Sequence, residues 1–316
     1  MTTSPLQDPE PTADFERTCI ELISAWSNGA LPLTQALARL KAMGEQAREE
    51  NRIAHQGRVE HLLGYIYQDL GDVNASIQHY DKAQRFYLRL NNVQRLAAID
   101  LNQGENYRDK GDYARALELY QRAYRVADEC GDMTIKTFAR GNQGWVFLAM
   151  KDEDNAQQAF EEARTLCETH RVEHIESSIA EFSCGLATVA LAQGRYADAW
   201  TLGYEGFVMA QLGKEMREIG MSWRVLGDAL TMLPNPIDPS MPTVPDSYYK
   251  HATEAFQVIN AEAEVARTLL CQAKSLVKRG ARAKASTYFR EAIVIFTRLG
   301  LMNDALQATE AQLKGS

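Results

Sequence analysis

The sequence predicts an all-α solenoid of about seven helical hairpins followed by one further helix. Three observations carry that prediction. Gly64, Gly104 and Gly144 recur at an interval of forty residues, each followed three positions later by Tyr67, Tyr107 or Phe147. Nineteen positions after each glycine stands Ala83, Ala123 or Ala163, with Tyr80, Tyr120 or Phe160 three before it. Two ladders of turn residues interleave with these. Gly71, Gly111, Lys151, Gly194 and Gly280 fall within hairpins, and Asn51, Asn91, Gly131, Arg171, Gly213, Asn260 and Gly300 fall between them. Self-similarity at a fixed period of this size marks a repeat array, and glycine and asparagine accept the positive φ that ends a helix.

Residues 1–12 are polar and contain Pro5, Pro9 and Pro11, so a disordered leader is expected there. They lack the basic start and apolar run of a secretory signal. From Asp14 to Glu50 a degenerate first hairpin is expected, because Ala36 and Leu40 keep the forty-residue step to Ser76 and Tyr80. The next three hairpins are the most regular. Ile99 to Lys110, the Gly111-Asp112 turn and Tyr113 to Cys130 show apolar and small residues at spacings of three and four, one buried stripe per helix.

Glycine inside a helix costs ~1 kcal/mol relative to alanine, so its return needs a compensating contact. Close approach of the partner helix near Ala116 and Ala123 is expected to supply it, with Tyr107 and Tyr120 filling the space on either side. Later hairpins follow with Ala187, Gly227 and Ala273 in the first helices and Gly206, Ala252 and Ala292 in the second. The second ladder steps by 40, 40, 43, 46 and 40 residues from Ala83, which marks two insertions. One lies near His170 to Ile175. The other, residues 234–246, holds five of the nine prolines and reads as an irregular loop, since proline in a helix interior costs about 3 kcal/mol. The array then spans 13–301, and 302–316 form a capping helix and tail.

Composition narrows the function. The 316 residues are 45% hydrophobic, with 34 Lys and Arg against 42 Asp and Glu for a net charge of −8. That balance argues against neutralising a phosphate backbone, so no nucleic-acid partner is expected. Five scattered cysteines without a Cys-x-x-Cys pair indicate neither a disulfide framework nor a zinc knuckle. No apolar stretch approaches the ~20 residues of a membrane span, and a cytoplasmic protein without membrane or cofactor is the expectation. His170-Arg171-Val172-Glu173-His174 has the spelling of some metallopeptidase motifs, but zinc there needs one continuous helix. The turn ladder puts Arg171 between hairpins. No phosphate-binding glycine loop, dinucleotide fingerprint or nucleophile elbow is present, so no catalytic residue is assigned.

The series Gly104, Tyr107, Gly111, Asp112, Tyr113, Ala116, Tyr120 and Ala123 resembles the tetratricopeptide repeat, and Trp223 before Gly227 resembles that family's early tryptophan. The forty-residue length resembles the arrays of kinesin light chains, bacterial peptide-pheromone receptors and regulatory domains of large signalling ATPases. The resemblance implies a right-handed superhelix whose first helices line a concave groove for peptides or partner proteins. The binding positions it implies are Arg58, His61, Tyr65, Asn102, Glu105, Arg108, Asn142, Trp145, Arg224, Asp228, Arg267 and Lys274.

Asn102 and Asn142 stand two residues before ladder glycines, where the resemblance implies a grip on ligand backbone, since a carboxamide both donates and accepts. A solvated or helix-capping asparagine is the alternative. The groove positions that the resemblance implies hold more Lys and Arg than Asp and Glu, the reverse of the whole chain, which hints at an acidic segment or terminal carboxylate in the ligand. Leu101 and Glu105 replace the lysine and asparagine of the family's chaperone-binding clamp. The reading is a non-enzymatic adaptor or regulator. The alternatives are an assembly scaffold acting through outer faces or self-association, and a metalloenzyme.

Overall fold

The computed structural model describes residues 9–170, 172 and 175–315. Among the described residues there are fifteen helices and no strand. They are α1 Ala13–Ser27, α2 Leu33–Glu49, α3 Ile53–Asp69, α4 Val73–Arg89, α5 Val93–Asp109, α6 Tyr113–Cys130, α7 Met133–Ala149 and α8 Glu153–His170. The rest are α9 Ile175–Ala192, α10 Tyr196–Gly213, α11 Met216–Leu230, α12 Pro245–Val258, α13 Glu262–Lys278, α14 Arg282–Leu299 and α15 Met302–Gly315. Each odd helix from α3 to α13 packs along the even helix after it, and successive hairpins stack in chain order into a right-handed superhelical solenoid capped by α15.

The turns explain the Gly-Asp pairs. Gly71 and Gly111 carry φ of +81° and +80°, where an L side chain is strained. The aspartate after each is the N-cap of the next helix, with Asp72 accepting from the Ala75 N–H at 3.0 Å and Asp112 from the Arg115 N–H at 3.1 Å. Such caps contribute about 1 kcal/mol. Asn92, Asp132 and Asp152 cap α5, α7 and α8 in the same way.

Two expectations change. The ladder glycines do not bring backbones together. A Cβ on Gly104 would lie 2.4 Å from the Tyr120 ring, one on Gly64 2.6 Å from Tyr80, and one on Gly144 2.9 Å from Phe160. Each glycine is a seat for the ring that the second helix sends across, and Tyr80, Tyr120 and Phe160 are all fully buried. The second change concerns Gly213. Positive φ falls on Lys214, at +61°, while Gly213 is the last residue of α10 and a Cβ there would meet Ser177 Oγ at 2.5 Å. This glycine allows close approach of α9.

The proline-rich insertion runs from the end of α11 at Leu230 to α12, and Pro245 opens that helix as its first residue, where the missing N–H costs nothing. Helix α9 is, by length and composition, apolar enough to cross a membrane, but 61% of it is buried among neighbouring helices. It is a core helix of the array. Of the expected leader, residues 1–8 lie outside the described residues, and Pro9 to Thr12 contact α3 and α5. The metallopeptidase-like motif includes Arg171, Glu173 and His174, which also lie outside the described residues.

The superhelix closes on itself. A Cβ on Gly71 would meet Ala263 at 2.9 Å and Leu299 at 3.2 Å, Gly29 sits against Val258, and the Asn303 amide donates to the Tyr113 hydroxyl at 3.1 Å. The early hairpins thus touch the late ones, and the inner wall encloses a lumen.

Candidate binding surface on the inner wall

The odd helices turn one stripe of side chains inward, and polar links join each helix to the next along that stripe. The Asn102 amide of α5 donates to His61 Nε2 of α3 at 2.7 Å. Gln68 of α3 donates to Glu105 of α5 at 2.9 Å, and Asn142 of α7 donates to the other oxygen of Glu105 at 3.2 Å. The Trp145 indole N–H of α7 donates to Glu181 of α9 at 3.1 Å. Forty residues is one hairpin, so partners 36 to 41 positions apart are neighbours on the wall.

Ion pairs cross the lumen. Arg217 of α11 bonds Asp69 of α3 at 2.7 Å, although 148 residues separate them. Arg267 of α13 bonds Asp109 of α5 at 3.0 Å, Asp304 of α15 at 2.9 Å and Glu264 at 2.6 Å. Arg224 completes the group on Glu264 at 2.6 Å. Between these chains a space of only ≈ 10 Å³ remains, lined by Gln68, Asp69, Glu105, Arg217, Glu264 and Arg267 among others. That is barely room for one water.

Burial and charge compete here. Burial pushes the Asp69 carboxyl up to about 6 in spite of the Arg217 guanidinium beside it, so desolvation exceeds the pair's attraction. Burial raises Glu181 as well. At Glu264 the balance reverses. Burial alone would raise it, but Arg224, Arg267 and Arg217 together hold it well below the usual carboxylate range. Burial lowers His61 well below the usual imidazole value, with Arg58 and Arg95 adding to the effect. The ring is therefore neutral. An amide nitrogen only donates, so Nε2 accepts from Asn102 and the proton sits on Nδ1.

The residues expected on the wall fall into three groups. Asn102, Glu105, Arg108, Asn142, Trp145, Arg224 and Arg267 join the polar network, and Arg108 lies 3.7 Å from Glu105. Asn142 is buried and Asn102 half-buried, and each side-chain amide bonds within the wall and caps no helix. Arg58 and Tyr65 meet α1, with Arg58 pairing Glu16 at 2.7 Å and Tyr65 meeting Trp26 edge to face at 6.1 Å, while His61 is buried against Asn102 and the Tyr80 and Tyr87 rings. Asp228 accepts from the Tyr249 hydroxyl at 2.8 Å, and Lys274 is exposed near it. Asp69, Arg217, Glu264 and Asp304 were not expected. For Asp69 a signal existed, since it stands one period before Asp109. Arg217 and Glu264 carry no such mark, because their partners lie across the lumen at no fixed sequence interval.

Against this geometry, the family described as MalT-like TPR region matches residues 37–208, more than half of the chain. The chain belongs to the MalT-like TPR family. Among solved structures, this MalT-like TPR chain is similar to a Rap protein in complex with competence and sporulation factor, at 11% identity and a TM-score of 0.63, covering 98% of this chain and 89% of that one. It is also similar to the Rap conjugation gene regulator of plasmid pLS20 in complex with the Phr* peptide, at 13% identity, TM-score 0.60, and 85% and 77% coverage. Aspartyl phosphate phosphatase F from Bacillus subtilis follows at 12% identity, TM-score 0.53, and 86% and 72% coverage. At these identities the likeness is one of fold. Among curated proteins, no sequence matches the chain.

Proposed function

We propose that this MalT-like TPR chain is a non-enzymatic, cytoplasmic regulator that binds a peptide, or an extended segment of a partner protein, on its inner wall. The observation that carries the reading is the network around Glu105, where carboxylate, carboxamide and guanidinium groups from α3, α5, α7 and α11 meet on one concave surface. Such groups match the alternating donors and acceptors of a peptide main chain. Two structures of similar fold are complexes, one with competence and sporulation factor and one with the Phr* peptide, which agrees with a ligand on this surface. Because the lumen is nearly closed, binding opens it, and the ligand's own charges replace Asp69 at Arg217 or Asp109 at Arg267.

Panning a displayed random-peptide library against the full chain yields the probe. Asn102→Ala with Asn142→Ala then weakens that peptide at least ten-fold, with helicity unchanged by circular dichroism. Equal affinity in the double variant removes the assignment.

A further inference from the structure

The segment from Pro9 to Ser27 lies against α3 and the start of α5. By backbone, helix α1 touches α2, its expected hairpin partner, and α3 about equally and lightly. Its side chains reach α3, with Phe15 stacked on the His55 ring at 3.9 Å, and Cys19, Leu22 and Trp26 are buried. The same apolar cluster includes Val59 of α3, Met221 of α11 and Ile259 of α12, with Trp145 of the inner wall packed against it. So α1 adds its buried side chains to the apolar cluster beneath the first hairpins.

Its polar contacts read main chain and carboxylates. The Asn92 amide donates to the Pro9 carbonyl at 3.0 Å and to Glu10 at 2.6 Å, while its oxygen caps α5. Arg95 donates to Glu10 at 3.0 Å and to Glu16 at 3.2 Å, and Arg58 takes the other Glu16 oxygen at 2.7 Å. Two arginines with little exposed side chain thus hold two carboxylates six residues apart.

The occupant does not exhaust the cradle. The fully buried Tyr87 hydroxyl, the proton-bearing His61 Nδ1 and Arg58 Nε have no hydrogen-bond partner among the described residues. Buried polar groups are paired in the great majority of native sites, and the cost of leaving one unpaired is about 1–3 kcal/mol. Over this ground α1 supplies the Cys19 thiol and apolar side chains. A helix that served only to finish the array has no use for a cradle with spare donors.

We propose that α3 and α5 form an acidic-peptide site, that Pro9 to Ser27 is its built-in occupant, and that a separate peptide with two carboxylates six residues apart exchanges with it. This rests on the reading that the inner wall binds peptides, and it specifies the ligand and the competitor. Tethering gives the internal segment a millimolar effective concentration, so a free peptide competes poorly until the internal carboxylates are removed.

The probe is a fluorescein-labelled synthetic peptide copying residues 9–22 with serine at Cys19, measured by anisotropy against the full chain. Glu10→Gln with Glu16→Gln in the protein raises its affinity at least ten-fold, and the peptide with glutamine at both glutamates binds at least ten-fold more weakly than the acidic one. Alkylation of Cys19 by N-ethylmaleimide accelerates when the acidic peptide is added. Unchanged affinity in the double variant, or a Cys19 that stays protected while peptide binds, overturns the proposal and makes α1 a fixed part of the array. The Asn142→Ala variant distinguishes the two readings. Failure there strikes the wider inner wall alone, whereas the Cys19 rate and the glutamine peptide report on α3 and α5.

Discussion

The spine of this superhelix and its lumen are built from the same helices by opposite physics. In the spine, where a first helix meets its second, the contacts are shape. Rings of Tyr80, Tyr120 and Phe160 lie on Gly64, Gly104 and Gly144, with alanines such as Ala83, Ala116 and Ala123 fully buried around them. In the lumen the contacts are charge and amide, and they join segments as distant as Arg267 and Asp109, 158 residues apart. Shape fixes one register, because an interior at crystal-like density rejects other side chains. Charged pairs accept substitutes of the same sign, and on the function proposed above the wall exchanges its own partner for another molecule's.

The strongest test of that contrast is Tyr120→Ala. Removing a fully buried ring beside a glycine leaves a cavity with nothing to collapse into it, and about 3–5 kcal/mol of stability goes with it in urea denaturation. Tyr→Phe at two equivalent sites sharpens the point. The Tyr80 hydroxyl donates to Gln68 at 2.9 Å, whereas the Tyr120 hydroxyl has no partner among the described residues. Tyr80→Phe therefore costs about 1–2 kcal/mol, and Tyr120→Phe costs nothing or stabilises. Equal losses at both would mean that the hydroxyl, and not the ring's shape, holds the spine.

The lumen reveals itself by titration. Asp69 ionises at about 6 when folded against 3.8 in the unfolded chain. Between those values the folded protein keeps a proton that the unfolded chain has released. Stability from this group is thus highest below about pH 4 and falls as pH rises to about 6. Asp69→Asn removes the titration. The wild-type advantage over this variant should shrink by about 1–3 kcal/mol between pH 4 and pH 6.5, then stay level. A difference that is flat across that range would show that Asp69 remains ionised and that attraction to Arg217 exceeds desolvation.

Much of the spine was legible in the sequence, and the lumen was legible in part. A forty-residue step shows where each glycine and each ring stands, because neighbours in a repeat array sit at fixed intervals. It does not show that the ring, not the backbone, takes the space at Gly104, since both arrangements need the same missing Cβ. Asp69 and Asp109 share the step and could have been paired by it. Their partners Arg217 and Arg267 could not, because closure of the superhelix depends on small rotations summed over several hairpins. The position of α1 was hidden for a related reason. Ala36 and Leu40 keep register in α2, but α1 is placed by Glu10, Glu16 and Phe15, which no later hairpin repeats.

The smallest expected effect bears on that last element. Phe15 is half-buried and stacks on His55 with the rings 11° from parallel, a contact worth about 0.5–1.5 kcal/mol. Phe15→Ala should hardly change global unfolding, because Phe15 is only half-buried against the cluster in which Cys19, Leu22 and Trp26 are buried. It should speed hydrogen exchange of the α1 amides about two- to ten-fold, while amides of α5 and α7 exchange as before. If α1 is held as the spine is held, its amides open only with the whole array, and Phe15→Ala then slows or speeds every helix together. Exchange confined to α1 places it with the lumen's replaceable contacts, and exchange shared with α7 places it in the spine.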